Sequence, residues 1–188
     1  MTKRGATLST SDARRDAVIE AAIAEFAGGY HSTPISAVAA RADISPAYVF
    51  KLFPGKVSLF VAALDRCYEL VVHALSNGAA RVEDADPGKI LYEMGDAYAE
   101  LIADRNLLML QVHAQSAADT PEIADAVRRG LAKVTEFARS RSGAADDEVQ
   151  RFIAYGQLCH LIVTLDLDER AGEWAAVLSA GIRHPGKN

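Results

Sequence analysis

Four times along this chain a Ser, Thr or Asp stands directly before a proline: Thr33-Pro34, Ser45-Pro46, Asp86-Pro87 and Thr120-Pro121. The first residue of each pair can accept a hydrogen bond from the free N–H groups of a helix's first turn. Proline suits the first helical position, where its missing N–H would have been unpaired anyway. Four helix starts are therefore marked by the same two-residue chemistry. The intervals between them carry apolar residues at helical spacing, and no segment sustains an alternation of apolar and polar residues. The expectation is an all-α fold of nine helices with no sheet.

From Asp12 to Ala27 the residues Val18, Ala22 and Phe26 fall at i, i+4 and i+8 with Ile19 and Ile23 beside them, and Gly28-Gly29 ends the run. A short helix follows from Pro34 to Arg41, then a turn through Ala42, Asp43 and Ile44, then an equally short helix from Pro46 to about Leu52. Pro54-Gly55 breaks the chain before a long helix from about Val57 to Leu75 or beyond, with Leu59, Phe60, Ala63, Leu64, Cys67, Leu70 and Val71 on its buried side. Further helices are expected near 87–103, 106–117, 121–140, 146–165 and 169–182.

Two short helices joined by a tight turn, with others packed across them, make a helix-turn-helix, in which the first short helix braces and the second enters the major groove of DNA. The second helix must be short, present a free N-terminus and project side chains that reach bases. Residues 46–52 meet those requirements, with Tyr48 and Lys51 expected to project and Val49 and Phe53 to face inward.

The stretch Gly29-Tyr30-His31-Ser32-Thr33-Pro34-Ile35, then Val38-Ala39, then Ala42-Asp43-Ile44-Ser45, then Phe50-Lys51-Leu52-Phe53 with Lys56 and Leu59 resembles the DNA-binding module of the TetR family. The likeness covers about residues 12–62. It implies that Thr33 caps the bracing helix and contacts phosphate, and that Lys56 contacts phosphate. It also implies that Ser45, Ala47, Tyr48 and Lys51 touch bases or backbone. Three positions depart from the family pattern. Asp43 replaces the turn glycine, which Asp tolerates because it visits positive φ more readily than most residues. Phe50 replaces a Tyr, keeping a packing ring but losing a hydroxyl, and Leu52 replaces a His or Tyr.

Charge is distributed in keeping with that reading. The net charge is −5, yet residues 1–60 hold seven Lys or Arg against five acids, and the remainder holds 13 against 20. A basic end and an acidic body suit one DNA-facing and one DNA-averse part. The division expected is 1–55 for the DNA-binding domain and 56–188 for a helical domain that binds a ligand and dimerises.

Within that second domain the helix near 146–165 has Phe152, Gly156, Cys159 and Val163 on an apolar face, and the last helix offers Trp174 and Leu178. In a monomer much of this surface would lie exposed, so these six are the expected homodimer interface, a pairing the family resemblance also implies. A two-fold dimer would set two recognition helices roughly 34 Å apart on a pseudo-palindromic operator. Met94, Tyr98, Met109, His113, Phe137 and Tyr155 mix flexible, aromatic and polar groups on helices around a bundle interior, and are the candidate contacts for a small, largely apolar effector. Since the family consists mostly of repressors, release of DNA on ligand binding is the expected outcome, with activation left open.

Two other readings compete. One is a helical enzyme or metal protein built on His73, His113, Cys159 and His160. No HExxH motif, Cys/His cluster, nucleophile elbow or glycine-rich phosphate loop supports it, so no catalytic residue, metal or cofactor is expected. The other is a dimeric protein of the same fold that no longer binds DNA. Cys67 and Cys159 stand far apart and read as reduced thiols. Met1–Ser11 carries Lys3 and Arg4 without a following apolar stretch, and nothing approaches the roughly 20 apolar residues of a membrane span, so a cytoplasmic location and no membrane partner are expected.

Overall fold

A computed structural model describes residues 10–82 and 86–181. The N-terminal segment with Lys3 and Arg4, and the expected end of the last helix at 182, lie outside those residues. The described chain forms nine α-helices and no strand: α1 Thr10–Phe26, α2 Ile35–Arg41, α3 Pro46–Leu52, α4 Lys56–Ala79, α5 Pro87–Leu101, α6 Arg105–Ser116, α7 Pro121–Ser142, α8 Asp146–Thr164 and α9 Glu173–Ser179. A 3₁₀ turn at Leu167–Glu169 precedes α9. The last helix is therefore shorter than the expected 169–182, because Gly172 at φ +138° interrupts it with a backbone setting that L side chains rarely adopt.

The Ser/Thr/Asp-Pro pairs behave in three ways. Ser45 and Asp86 cap α3 and α5 outright, accepting from the N–H of Tyr48 at 3.2 Å and of Lys89 at 3.1 Å. Thr120 holds the N-cap position of α7 with Pro121 at N1, but its side chain makes no cap bond. Thr33 does not cap α2 at all. That helix begins at Ile35 with Pro34 as N-cap, while the Thr33 hydroxyl sits close to the carbonyls of Glu25 at 3.0 Å and Gly29 at 2.8 Å. Thr33 is buried and its hydroxyl is taken up by those carbonyls of α1 and the turn after it. One further cap carries no proline mark: Asp104 accepts from the N–H of Asn106 at 3.0 Å.

One continuous core runs from α1 to α8. α4 is its axis. Near its start Phe60 meets Phe26 edge-on at 5.0 Å and Tyr30 at 4.9 Å, which seats α1. Near its end Gly78 lies so close to α5 that an added Cβ would sit 2.3 Å from the Glu93 carbonyl oxygen. In between, the Tyr68 ring packs on Gly130 of α7, where a Cβ would approach it to 2.1 Å. α3 and α4 diverge by 68° at the Phe53–Gly55 break. No single described helix is long and apolar enough to cross a membrane.

Gly78→Ala should therefore lower unfolding stability by about 1–3 kcal/mol, since the clash is with backbone rather than with a side chain that can swing away. Denaturant titration checks this. A gain in stability, which helix propensity alone would give, would mean that α4 and α5 are not packed this closely.

Candidate nucleic-acid interface and cavity

α1, α2 and α3 build the first candidate site. The turn between α2 and α3 is made by Asp43 at φ +53°, the left-handed setting that glycine would otherwise supply. Val49 of α3 and Phe53 just after it are buried, and Arg15 of α1 holds the far end of the helix. Its guanidinium donates to the Leu52 carbonyl at 3.0 Å and lies 4.2 Å over the Phe53 ring. The free face of α3 is thereby set, with Ser45, Ala47, Phe50 and Lys51 exposed. Tyr48 is half-buried, flanked by the Arg14 guanidinium at 5.8 Å and the Lys51 ammonium at 6.0 Å from its ring.

Phe50 differs from its expected role. It is 52% exposed, because it lies about 100° round the helix from buried Val49 and on the side of Ala47. The i, i+3, i+4 relation of Ala47, Phe50 and Lys51 was the signal that marks this face. Lys56 opens α4 beside the turn that precedes α2. Its ammonium donates to the His31 carbonyl at 3.1 Å and stands 4.9 Å from the Tyr30 ring centroid, and partial burial pulls its pKa below the usual lysine value. Thr33 is no outward donor, since its hydroxyl is committed to two carbonyls.

The second candidate site is a cavity of about 460 Å³ lined by α4, α5, α6, α7 and α8, with residues 180 and 181 also in its lining. Tyr68, Val71 and Leu75 of α4 form one wall, and Phe152, Gly156 and Cys159 of α8 another. Of the six residues expected to meet a ligand, Tyr98 and Tyr155 line it. The other four lie elsewhere. Met94 is fully buried in the core and does not line the cavity, although its neighbours on α5, Leu91, Gly95 and Tyr98, do. Met109 and Phe137 are packed against the core. His113 lies against Gly29, at the junction of α6 with the turn after α1.

The face assigned to a dimer is also redistributed. Phe152, Gly156 and Cys159 point into the cavity and Val163 packs on the core, whereas Trp174 is exposed and Leu178 half-buried. The outward stripe of α8 is Ala154, Leu158, Leu161 and Leu165, roughly opposite the expected one. Both stripes are apolar, so periodicity could not choose between them.

Three polar side chains meet at the inner end of the cavity. The Tyr98 hydroxyl lies 2.6 Å from His160 Nε2 and 3.5 Å from Gln111 Oε1, and the Gln111 amide donates to the Leu107 carbonyl at 3.2 Å. Burial pulls His160 from 6.5 down to about 4, so its ring is neutral at pH 7. Burial likewise raises Tyr98 well above 10, with Cys67 adding to the effect, and pushes Tyr68 up to about 12. The thiols of Cys67 and Cys159 are raised to about 12 and about 11, again by burial first, and stay protonated. Among the described residues, no three His, Cys, Asp or Glu side chains are grouped to hold a metal ion.

A helical body carrying a short, outward-facing helix on a turn defines a helix-turn-helix regulator. Residues 18–63 match the model of bacterial regulatory proteins of the tetR family. The chain is 28% identical over 142 residues to the HTH-type transcriptional repressor KstR of Mycolicibacterium smegmatis, covering 75% of this chain and 69% of that protein. To KstR of Rhodococcus jostii it is 39% identical over 59 residues, 31% of this chain and 28% of that one. Its fold is similar to that of FadR from Bacillus subtilis, solved in complex with stearoyl-CoA, with a TM-score of 0.65, 16% identity and coverage of 89% and 99% of the two chains. Residues 18–63 thus carry a tetR-family helix-turn-helix, set in a fold similar to that of solved tetR-family regulators.

Since the fold holds His160 neutral and the unfolded chain does not, the unfolded state takes up a proton as pH falls below 6.5, and stability drops between 6.5 and 4. From pH 7 to pH 5 the share due to His160 should be about 2 kcal/mol. Comparing denaturation of the native chain and His160→Gln at both pH values measures it, and equal pH sensitivity in the two would contradict the assignment.

Proposed function

We propose that the chain is a homodimeric repressor that leaves a pseudo-palindromic operator when a small, largely apolar ligand fills the cavity between α4 and α8. The observation that carries this reading is the dual use of α4. Its first residue, Lys56, stands beside the helix-turn-helix, and Tyr68, Val71 and Leu75 further along it form a cavity wall. A ligand seated against that wall acts on the helix that carries α1–α3. If it fits one setting of α4 better than another, the population shifts and affinity for DNA changes by linkage.

On this reading residues 1–55 bind DNA and 56–188 sense ligand and pair. Lys51 and Lys56 contact phosphate. Ser45, Ala47 and Tyr48 contact bases or backbone, and Phe50 joins them with an apolar contact of the kind a thymine methyl offers. Thr33 acts from beneath, bracing the turn that places α2. The dimer forms through the outward stripe of α8 with α9, where Tyr155, Leu161, Leu165, Trp174 and Val177 are exposed. Repression is supported by the KstR relatives, which are HTH-type transcriptional repressors. The stearoyl-CoA complex of FadR supports room in this fold for a long apolar ligand.

Binding of the full chain to the DNA upstream of its own coding sequence, followed over a salt series, tests the DNA contacts. Affinity should fall steeply with salt, and replacing Lys51 and Lys56 together by Ala should reduce the log–log slope by about 2. An unchanged slope removes both residues from the interface. For the dimer, Leu161→Asp with Val177→Asp should yield a monomer by analytical ultracentrifugation and weaken operator binding by about tenfold or more. A dimer that survives both changes has its interface elsewhere.

A further inference from the structure

Resting on the reading of the cavity as an effector site, the geometry of its inner end points to the ligand's chemistry. We propose that Tyr98 donates a hydrogen bond to one uncharged oxygen, a ketone or an alcohol, of an otherwise apolar ligand.

The argument is an account of protons. Tyr98 and Gln111 line the cavity, and His160 is buried behind them. The contact between Tyr98 Oη and His160 Nε2 is short, at 2.6 Å, and one of the two atoms must supply the proton. His160 Nδ1 is buried and has no hydrogen-bond partner among the described residues. A proton on Nδ1 would be a buried N–H with nothing to bond, whereas a bare lone pair there is the better tolerated of the two. The proton therefore sits on Nε2 and is donated to Tyr98.

That leaves the proton of Tyr98 itself. The acceptor near it inside the chain is Gln111 Oε1 at 3.5 Å, the outer limit of a hydrogen bond. Gln111 is held away by its own bond to the Leu107 carbonyl. Tyr98 thus presents an under-committed donor at the end of an apolar cavity, and a ligand oxygen at 2.7–2.8 Å would be a better partner than Gln111.

Charge selects the kind of oxygen. The cavity lining includes one cation, Arg151, and two carboxylates, Asp96 and Glu148. Arg151 is exposed and paired with Asp147 at 3.0 Å. A carboxylate buried at the inner end would lose its water and gain no opposite charge, so it is disfavoured. Ketones and alcohols lose little by comparison.

The test uses the full chain and diphenylhexatriene, a hydrocarbon whose fluorescence rises in apolar sites, displaced in turn by 2-dodecanone, dodecan-1-ol and dodecanoate at pH 7.5. The ketone and the alcohol should displace it at concentrations about tenfold lower than dodecanoate. Tyr98→Phe should weaken ketone binding about fivefold to tenfold, the loss of one hydrogen bond, and leave diphenylhexatriene affinity within about twofold. Gln111→Leu removes the competing acceptor and should leave ketone binding equal or tighter.

Dodecanoate competing as well as the ketone overturns the proposal, as does a native chain that takes up no diphenylhexatriene. An unchanged ketone affinity in Tyr98→Phe with the probe still bound also overturns it. Should Tyr98→Phe fail to fold, the ranking in the native chain and the Gln111→Leu result decide. DNA release is scored separately. A ketone that binds as stated but leaves operator binding unchanged refutes release by this cavity and not the oxygen contact. Release by dodecanoate would do the reverse.

Discussion

α4 is packed on both ends and on two sides, and the rest of the molecule is arranged around that constraint. The Phe26, Tyr30 and Phe60 rings lock α1 onto its beginning, and T-shaped contacts of this kind leave little freedom in angle. Gly78 lets α5 approach to backbone contact at its other end, and Gly130 lets Tyr68 lie against α7. A helix held this way moves as a rod, because interiors packed to crystal density do not deform smoothly. The release of DNA proposed above asks α4 to carry a displacement at the Tyr68 wall to Lys56 and the two short helices beyond it as one body.

The two sites solve opposite problems with charge. At the helix-turn-helix, cationic groups are kept near water and near rings. Arg14 and Lys51 flank Tyr48, Arg15 covers Phe53 while bonding the last carbonyl of α3, and Lys56 stands over Tyr30. Each interaction pre-sets a long side chain that would otherwise lose rotamer freedom on binding. Inside the body, charge is removed. His160 is neutral, Tyr98 keeps its proton, and both thiols stay protonated, so the inner end of the cavity offers polar groups that carry no charge.

What could be read in advance followed the range of the forces involved. Ser45 and Asp86 cap their helices because a side chain three residues from an N–H needs nothing distant to reach it. Asp43 adopts positive φ for the same local reason. Thr33 escaped such reading, since the carbonyls that engage it belong to Glu25 and Gly29, brought close by the turn after α1. Phe50 was misplaced because a seven-residue helix offers barely two turns of phase to judge from.

From its sequence alone this chain was committed to helices, to a short one following Ser45, and to an acidic body behind a more basic end. Those properties rest on backbone capping, helical period and summed charge, all of which are local or additive. Only the packed structure decided which of the two apolar faces of α8 turns inward, making Phe152 and Cys159 cavity walls while Leu161 and Leu165 face out. It also joined Tyr98, Gln111 and His160, residues 13 and 62 positions apart from Tyr98 in the chain. A helix with two apolar faces carries no record of which one its neighbours will cover, and hydrogen bonds between distant segments exist only once those neighbours have chosen.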